Sequence, residues 1–357
     1  MPIIDADAHV VEIDETWEYF APSEREYKPG VVYERLENGE TLKSWIIGDN
    51  KVGTPWPGGG TRSDAITGTF IGNVPLDLKA KYMLDVDARV AHMDELGTDT
   101  QVLFPTLWVH PLTDRPAVEN ALCWSYNRWM ADIHSRGHGR FRWACVVPLS
   151  DIPEARRQMR FARDHGAVAV NTSGLDYRNR LINDPDFFPM YEEASDLDMP
   201  VCVHSGTNSP DMDRVWGQPL CGYQRNKFVG LAAFHLLIMS NLPDRFPKLR
   251  WGIIELSAGW LPYLINDLRR RVERRGGKLK ERILADNNIW VACQMNDDLE
   301  HVIKYVGDDR LVMGTDYGHA DSSTEIHALQ LLQQHEFVSP ESVSRILYDN
   351  PVQLYAL

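Results

Sequence analysis

The chain has 357 residues, of which 43% are hydrophobic and 25% are charged, a balance typical of a globular protein with a large core. Its formal net charge of −14 argues against a nucleic-acid partner, because phosphate binding needs a concentrated basic surface. No apolar run reaches membrane-spanning length, the start lacks the regions of a signal peptide, and the five cysteines show no C-x-x-C spacing. We therefore expect a cytoplasmic protein with no membrane partner.

Eight short apolar segments alternate along the chain with segments of helical periodicity. The predicted strands are residues 2–6, 100–106, 141–149, 167–172, 200–206, 250–258, 288–294 and 311–317. The clearest helical segments between them are 84–96, 117–134, 152–165 and 228–239. Parallel strands need such crossovers, and eight of them can close into a barrel. The pattern predicts the α/β class and one (β/α)8 TIM-barrel domain over residues 1–357, with a last helical tract at 323–348 packed outside the barrel.

The connection from about residue 13 to 80 is too long for a simple crossover. We interpret it as an inserted lid, with a hairpin at 44–52 and a mobile loop at 56–60. Because it leaves the end of the first strand, it should cover the active face, where lids exclude water and select substrates.

Four of the predicted strands end in side chains of metal-binding type. Asp7 and His9 end the first strand, His204 the fifth, Glu255 the sixth and Asp316 the eighth. The carboxyl ends of barrel strands open onto one face, so these residues should converge there. A single strand-end histidine or aspartate is often only a cap, but five together predict a metal site. Imidazole with carboxylates suits zinc, manganese or iron.

Two further side chains are candidates for the same site. His319 follows Asp316 by three residues and is predicted to bind metal or to act in catalysis. Glu12 follows His9 by three residues and is either an additional ligand or a capping carboxylate.

Residues at the ends of other strands are candidates for the pocket wall. Trp108 and His110 follow the second strand, and Asn171 and Thr172 end the fourth. Because neighbouring residues of a strand point to opposite faces, at most one of Asn171 and Thr172 is expected to face the barrel interior.

Four motifs carry a resemblance to a known family: Asp7-Ala8-His9, His204-Ser205-Gly206, the segment 244–250 and Gly314-Thr315-Asp316-Tyr317. From Ile3 to Pro351 the chain resembles the amidohydrolase-related, metal-dependent decarboxylases and hydrolases typified by aminocarboxymuconate semialdehyde decarboxylase. The resemblance implies a distorted TIM barrel, one or two divalent metals and a homodimer. It also implies that the metal ligands are Asp7, His9, His204 and Asp316.

The chain departs from that family at Glu255, where the decarboxylases carry a His-Gly-Gly segment. A glutamate there is either a replacement proton carrier or a ligand to a second ion. Three carboxylates around two histidines make an oxygen-rich site of the di-iron kind. In this respect the chain is similar to a group of TIM-barrel non-haem di-iron monooxygenases, whose known representative hydroxylates a diterpenoid in platensimycin and platencin biosynthesis. Many of that group are expected to take coenzyme A thioesters.

The first functional prediction is therefore a non-haem di-iron monooxygenase of secondary metabolism. It would hydroxylate a bulky apolar molecule, terpenoid-like or CoA-linked, using two Fe ions, dioxygen and an external electron donor, with Glu255 and His319 as catalytic residues. The alternative is a hydrolase or non-oxidative decarboxylase with one Zn or Mn ion, in which Glu255 or His319 transfers the proton. A barrel that has lost catalysis and only binds a ligand is a third reading, but it would leave the ligand set without a purpose.

Overall fold

Eight parallel strands form one sheet in sequential order in the computed structural model, which describes residues 1–35, 41–52, 70–71, 74–75, 77–218, 220–319 and 322–357. The strands are β1 Ile4–Val10, β2 Thr100–Pro105, β3 Phe141–Cys145, β4 Ala167–Thr172, β5 Val201–Val203, β6 Trp251–Ile253, β7 Ile289–Cys293 and β8 Leu311–Met313. The sheet closes on itself because the Asp316 amide donates to the Asp7 carbonyl at 2.9 Å and the His9 amide to the Tyr317 carbonyl at 2.8 Å. The predicted (β/α)8 TIM barrel is confirmed.

The helices lie in the connections, as parallel strands require. The longer ones are Val86–Glu95, Pro116–Arg136, Ile152–Asp164, Phe188–Asp196, Gly222–Met239, Leu261–Arg274 and Leu299–Val306. The shorter ones are Leu78–Lys81, Pro210–Trp216, Leu242–Arg245, Ala328–Gln333, Pro340–Ser344 and Asn350–Tyr355. Local sequence sets several starts: the Asp85 carboxylate accepts from the amides of Asp87 and Ala88, and the Asp151 carboxylate from that of Glu154. In the described part of the chain, no helix has both the length and the apolar character needed to cross a membrane.

The end of the chain departs from the prediction of one helical tract over 323–348. It is divided into the short helices Ala328–Gln333 and Pro340–Ser344, a π-helical turn Arg345–Asp349, and Asn350–Tyr355. A new helix begins where Ser339 caps the amide of Ser342 ahead of Pro340. The last helix inserts Leu354 and Tyr355 into the apolar cluster inside the barrel, where the Tyr355 hydroxyl donates to the Ala6 carbonyl at 2.7 Å. The end of the barrel opposite the strand carboxyl ends is therefore closed by apolar side chains.

The segment predicted as a lid forms its own small structure. It contains the 3-10 helices Asp14–Tyr19 and Pro22–Tyr27, the antiparallel strands Gly30–Arg35, Thr41–Ile47 and Asn50–Val52, and the two-residue strands Phe70–Ile71 and Val74–Pro75. The predicted hairpin is present, since Ile47 pairs with Asn50. The predicted mobile loop at 56–60 lies outside the described residues.

This segment packs over the loop that follows β2. Trp17 and Trp45 belong to an apolar cluster with Leu107 and Leu112, and the Asn50 amide donates to the Leu112 carbonyl at 3.0 Å. Because that loop leaves the carboxyl end of β2, the described part of the segment lies on the face at which the strands end.

Candidate metal centre

Six polar side chains meet at the carboxyl ends of β1, β5, β6 and β8. They are Asp7, His9, His204, Glu255, Asp316 and His319. They form two overlapping groups that share His9 and Glu255, and within each group one ligand atom per residue lies within 4.8 Å of all the others. All but the partly exposed His319 are buried.

His9 lies at the centre of this group. Its Nε2 is 3.5 Å from Asp7 Oδ1, 3.6 Å from Glu255 Oε2 and 3.4 Å from Asp316 Oδ1. His204 Nε2 is 3.4 Å from the same oxygen of Asp7 and 3.3 Å from that of Glu255. These separations exceed those of most charge-assisted hydrogen bonds. They match the spacing of about 3.4 Å between the ligand atoms of a tetrahedral ion with bonds of about 2.1 Å.

Buried polar atoms without hydrogen-bond partners also indicate that this group can hold a metal ion. Counting only the described residues, neither ring nitrogen of His9 has a hydrogen-bond partner, and neither does Oε2 of Glu255. A buried polar atom left in this way is costly. Nitrogen and carboxylate oxygen atoms converging on one point fit a divalent cation such as zinc or manganese.

The electrostatics of the group are those of tightly paired charges. Burial alone would raise the pKa of Asp7, but its contacts with His204 and His9 outweigh burial and hold the pKa well below its ordinary value. Burial alone would lower the pKa of His9, but Asp7 and Glu255 raise it to about 9. Without a cation, these carboxylates therefore favour a proton on His9, and an ion would replace that proton.

A bulge in β1 brings its polar residues to the site. The pairing of β1 with β2 shifts register between Asp5 and Ala8. In a regular strand, Asp7 and His9 would point to the face opposite Ile4 and Ala6. Because of the bulge, Ile4 and Ala6 belong to the apolar interior of the barrel and Asp7 and His9 still reach the candidate metal site.

Two of the candidate ligands have unusual backbone conformations. Glu255 has φ 58° and Asp316 has φ 52°, and Ser257 in the loop after Glu255 has φ 59°. Residues other than glycine seldom adopt this left-handed region, and such conformations persist only where surrounding contacts enforce them. β6 and β8 end two residues before Glu255 and three before Asp316. The Asp316 amide still pairs with the Asp7 carbonyl of β1, whereas Glu255 is directed by the loop after β6.

A buried polar network lies behind the ligands of β1 and β8. The Asp5 carboxylate accepts from the Thr315 amide at 2.9 Å, the Thr315 hydroxyl at 2.6 Å and the Gln101 amide at 3.0 Å. Arg89 donates to Gln101 at 2.8 Å and to the His9 carbonyl at 3.3 Å. Burial raises the pKa of Asp5 to about 6, although the hydrogen bonds from Thr315 oppose this. The network joins the segments that carry Asp7, His9 and Asp316.

His319 is oriented by contacts on both sides of its ring. The ring stacks on His9 with centroids 3.8 Å apart, and Nδ1 lies 2.7 Å from Asp316 Oδ1. Nε2 lies 2.9 Å from the Thr106 hydroxyl, whose own hydrogen is donated to the Val10 carbonyl at 2.8 Å. Thr106 can therefore only accept from His319, which assigns a hydrogen to Nε2 and leaves Nδ1 facing the site.

Glu12 lies outside both groups of candidate ligands. Its carboxylate accepts from the amides of Thr106 at 3.1 Å and Leu107 at 2.9 Å. Burial raises its pKa to about 7, against the effect of these hydrogen bonds. The structure thus places Glu12 where it holds the loop after β2, and with it the partner of His319.

A cavity lies at the ends of β2, β3 and β4, and none of the six candidate ligands is among the described residues that line it. Trp108 and His110 line it, as expected, and so do both Asn171 and Thr172. The expectation for this last pair concerned the barrel interior and stays a prediction. The cavity is linked to the metal centre through Thr172, whose carbonyl accepts from the His204 amide at 2.7 Å.

Three functional residues were missed at the level of sequence: Asp5, Gln101 and Thr106. Asp5 and Gln101 are fully buried. The signal in the sequence was a polar residue beside apolar ones: Asp5 lies between Ile4 and Ala6, and Gln101 precedes Val102. Nothing in the sequence near Thr106 indicates a partner 213 residues away.

Comparisons with known proteins agree with this architecture. A family model described as Amidohydrolase matches residues 4–357. The 2-amino-3-carboxymuconate-6-semialdehyde decarboxylase of Dictyostelium discoideum is 22% identical over 250 residues, which cover 65% of this chain and 66% of that protein, just under two thirds of its length.

Solved structures share the fold at low sequence identity. An amidohydrolase from Mycobacterium avium subsp. paratuberculosis K-10 has a TM-score of 0.75 and 21% identity, covering 100% of this chain and 98% of its own. 5-Carboxyvanillate decarboxylase from Novosphingobium aromaticivorans DSM 12444, complexed with manganese and a nitrobenzoic acid, has a TM-score of 0.67 and 16% identity, covering 100% and 96%. 2,6-Dihydroxybenzoate decarboxylase complexed with 2,6-dihydroxybenzoate has a TM-score of 0.67 and 18% identity, covering 100% and 99%.

These comparisons overturn the prediction of a non-haem di-iron monooxygenase. The relatives are decarboxylases and amidohydrolases, and solved structures of two of these enzymes, dihydroxybenzoic acid decarboxylase and 5-carboxyvanillate decarboxylase, hold manganese. The prediction was wrong because it read a carboxylate-rich ligand set as evidence for iron, whereas Glu255 among two imidazoles suits a redox-inert divalent ion equally well. Dioxygen, the electron donor and a CoA-linked substrate lose their support with it. The homodimer stays a prediction.

Proposed function

The chain belongs to the amidohydrolase family and is a metal-dependent enzyme, and we propose that it is a non-oxidative decarboxylase of an aromatic or conjugated carboxylic acid. The observation that carries the proposal is the buried ligand group around His9 with the His319–Asp316 pair, 2.7 Å apart, directly beside it. A cation site next to a proton carrier is what decarboxylation needs. The decarboxylases among the relatives support this reaction over hydrolysis.

The ion we propose is Mn²⁺ or Zn²⁺, held by Asp7, His9, His204, Glu255 and Asp316. Nitrogen and carboxylate ligands suit both ions, and related structures with manganese favour Mn²⁺. When bound, the ion supplies positive charge that stabilises negative charge developing on the substrate. Under this proposal Glu255 is a ligand and leaves proton transfer to His319.

The chain's own residues account for the proton. In the reaction the bond between the carboxylate carbon and the substrate breaks, carbon dioxide leaves, and the electron pair stays on the substrate carbon. That carbon then takes a proton from Nδ1 of His319, whose Nε2 keeps its hydrogen because Thr106 accepts it. Asp316 holds the imidazolium before transfer, and solvent supplies the next proton. The sum is one carboxylate and one proton giving the decarboxylated product and carbon dioxide.

The cavity at the ends of β2, β3 and β4 suggests the class of substrate. Its wall includes Trp108 and apolar residues such as Leu122 and Val147, together with the carboxyl residues Glu119 and Asp176. Such a wall favours a flat, largely apolar ring. A conjugated ring also delocalises the electron pair that remains after carbon dioxide leaves. Asn171 offers a polar group there, and within the described residues its Oδ1 makes no hydrogen bond, so a substrate hydroxyl would complete its hydrogen bonding.

The test is turnover of the Mn²⁺- or Zn²⁺-loaded protein on a panel of hydroxybenzoates and carboxylated vanillates, read as carbon dioxide release. In D₂O the product should carry one deuterium at the carbon that lost the carboxylate. His319→Gln should lower kcat by about 10²-fold or more while the protein keeps its metal. His138→Gln, an exposed histidine on the outside of the fold, is the matched control. Cleavage of esters or amides without carbon dioxide release would contradict decarboxylation and favour a hydrolase.

A further inference from the structure

We propose that Asp297 is a positioning residue for Glu255, acting through the backbone of the loop that follows Glu255. The proposal rests on the proposed role of Glu255 as a metal ligand. Asp297 lies in the loop between β7 and the helix Leu299–Val306. It belongs to neither group of candidate ligands, so its proposed effect on the metal centre is indirect, through the loop that carries Glu255.

The carboxylate of Asp297 joins two loops of the active face. Oδ2 accepts from the Ala258 amide and from the Gln294 amide, both at 2.8 Å, and Oδ1 accepts from the Gly259 amide at 2.8 Å. Ala258 and Gly259 belong to the loop after β6, and Gln294 follows β7 directly. Three charge-assisted hydrogen bonds accepted by one carboxylate fix the distance between these loops.

The loop after β6 needs such an anchor because its backbone is strained. Glu255 and Ser257 both lie in the left-handed region, at φ 58° and 59°, where a side chain is disfavoured. Relaxation of either residue would rotate the Glu255 side chain away from His204 Nε2, now 3.3 Å from its Oε2. On the far side of Ser257 the Trp260 indole donates to the Ser257 carbonyl at 2.7 Å, so the strained segment is held at two points.

The position of Asp297 also suits the helix that follows. Ala258 and Gly259 lie just ahead of Trp260, which is the N-cap of the helix Leu261–Arg274. A carboxylate there is favoured by the helix dipole as well as by the hydrogen bonds. The same carboxylate that lies close to the helix start therefore also holds the loop that carries Glu255.

The experiment compares Asp297→Ala and Asp297→Asn with Asp298→Ala. Asp298 is the adjacent carboxylate and caps the helix Leu299–Val306, accepting from the His301 amide at 3.0 Å, so its loss controls for a damaged helix start. Mn²⁺ dissociation constants are measured by chelator competition, and the Mn²⁺ environment by electron paramagnetic resonance. We expect Asp297→Ala to weaken Mn²⁺ binding by about 10–100-fold and Asp297→Asn by less. Asp298→Ala should lower the melting temperature and change Mn²⁺ affinity less than about twofold.

A parallel Glu255→Gln variant separates this proposal from the one on which it rests. If Glu255→Gln weakens Mn²⁺ binding and Asp297→Ala does not, the positioning role of Asp297 is overturned and the ligand role of Glu255 stands. If Glu255→Gln leaves Mn²⁺ affinity unchanged, both fail. Should Asp297→Ala not fold, Asp297→Asn decides: wild-type affinity with an unchanged Mn²⁺ spectrum overturns the proposal, and a weakened, altered site supports it.

Discussion

The two sides of the metal centre are built by different means. On one side β8 meets β1, a junction we call the β8–β1 seam and define by Asp7, Gly314 and Asp316. Here backbone hydrogen bonds run between the two segments, and the buried Asp5 carboxylate joins them again through Thr315. On the other side Glu255, which shares the left-handed φ of Asp316, lies in the loop after β6, and this loop is held by side-chain contacts with Asp297.

The comparison indicates where the site tolerates change. The seam is part of the barrel wall, so a change there disturbs ligand geometry and folding together. The loop after β6 lies at the rim, and its contacts can be altered while the wall remains paired. The residue at the position of Glu255 lies in this loop, so it can differ between members of the family without loss of the barrel fold.

Gly314→Ala should break the seam and have the largest effect. A Cβ added at Gly314 would lie 2.3 Å from the Asp7 Cβ and 2.6 Å from its backbone nitrogen and oxygen, contacts that only movement of β1 or β8 can relieve. We expect a loss of about 3 kcal/mol or more in the free energy of unfolding, with loss of bound Mn²⁺. Urea unfolding and metal analysis measure both.

The matched control for this change is Gly222→Ala. Gly222 begins the helix Gly222–Met239, and no heavy atom lies within 4 Å of an added Cβ, so stability and metal content should stay near those of the wild type. Equal effects of the two substitutions would show that the seam is not the rigid side of the site.

Thr315→Val tests the side-chain part of the seam. Valine has nearly the same shape but removes the hydroxyl that donates to Asp5 at 2.6 Å and accepts from the Tyr317 amide at 3.2 Å. We expect a cost of about 1–3 kcal/mol and Mn²⁺ binding weakened by about tenfold. Thr315→Ser, which keeps the hydroxyl, should restore most of both. If serine and valine behave alike, the hydroxyl contributes nothing to the seam.

The fold and most of the candidate centre could be predicted from sequence because both depend on local patterns. Apolar strands that end in Asp, His or Glu identify the carboxyl face, and barrel closure brings such ends together whatever their separation along the chain. The hairpin at 44–52 was recognisable for the same reason, since a Gly-Asp turn lies between apolar residues. His204 and Glu255 could therefore be predicted as candidate ligands from their positions at the ends of strands, without knowledge of any contact between them.

Contacts between distant loops could not be predicted in this way. Thr106 meets His319 only because the loops after β2 and β8 both approach β1, and Glu12 holds Thr106 through backbone amides that have no sequence signature. The type of reaction could not be predicted from the sequence pattern either. A glutamate beside two histidines is compatible with several ions, and ligand type alone does not select between redox and non-redox chemistry.

Thr106→Val should affect catalysis more than binding, because Thr106 orients His319 without contacting the proposed ligands of the ion. Valine removes the acceptor for His319 Nε2, so the ring loses the contact that fixes its hydrogen there. We expect kcat for decarboxylation to fall by about tenfold, with KM and Mn²⁺ content little changed. Thr106→Ser keeps both hydrogen bonds of the hydroxyl and should recover most activity. A change in KM or metal content with kcat preserved would refute this role.

Glu12→Gln should give the smallest effect, visible as a pH dependence of stability on the seam side of the site. Burial raises the pKa of Glu12 to about 7 from its ordinary 4.5, so between these pH values the folded chain binds more protons there than the unfolded chain. Stability contributed by this protonated carboxyl is complete below about pH 4.5 and is lost as pH rises through about 7. Glutamine does not titrate. In metal-free protein, urea unfolding should therefore show Glu12→Gln gaining about 1–3 kcal/mol relative to wild type between pH 5 and pH 8.

Glutamine can accept only one of the two amide hydrogen bonds that Glu12 receives from Thr106 and Leu107, so the variant should be the less stable protein at pH 5. The quantity to follow is therefore the difference in free energy of unfolding between Glu12→Gln and wild type. The lost hydrogen bond shifts this difference equally at every pH, whereas ionisation of Glu12 makes it change as pH rises. Glu15→Gln, an exposed carboxyl in the same segment, is the matched control for the loss of one carboxyl group. A difference between Glu12→Gln and wild type that stays constant with pH would mean that Glu12 does not carry its proton to neutral pH, and that the loop holding Thr106 is stabilised by an ionised carboxylate throughout.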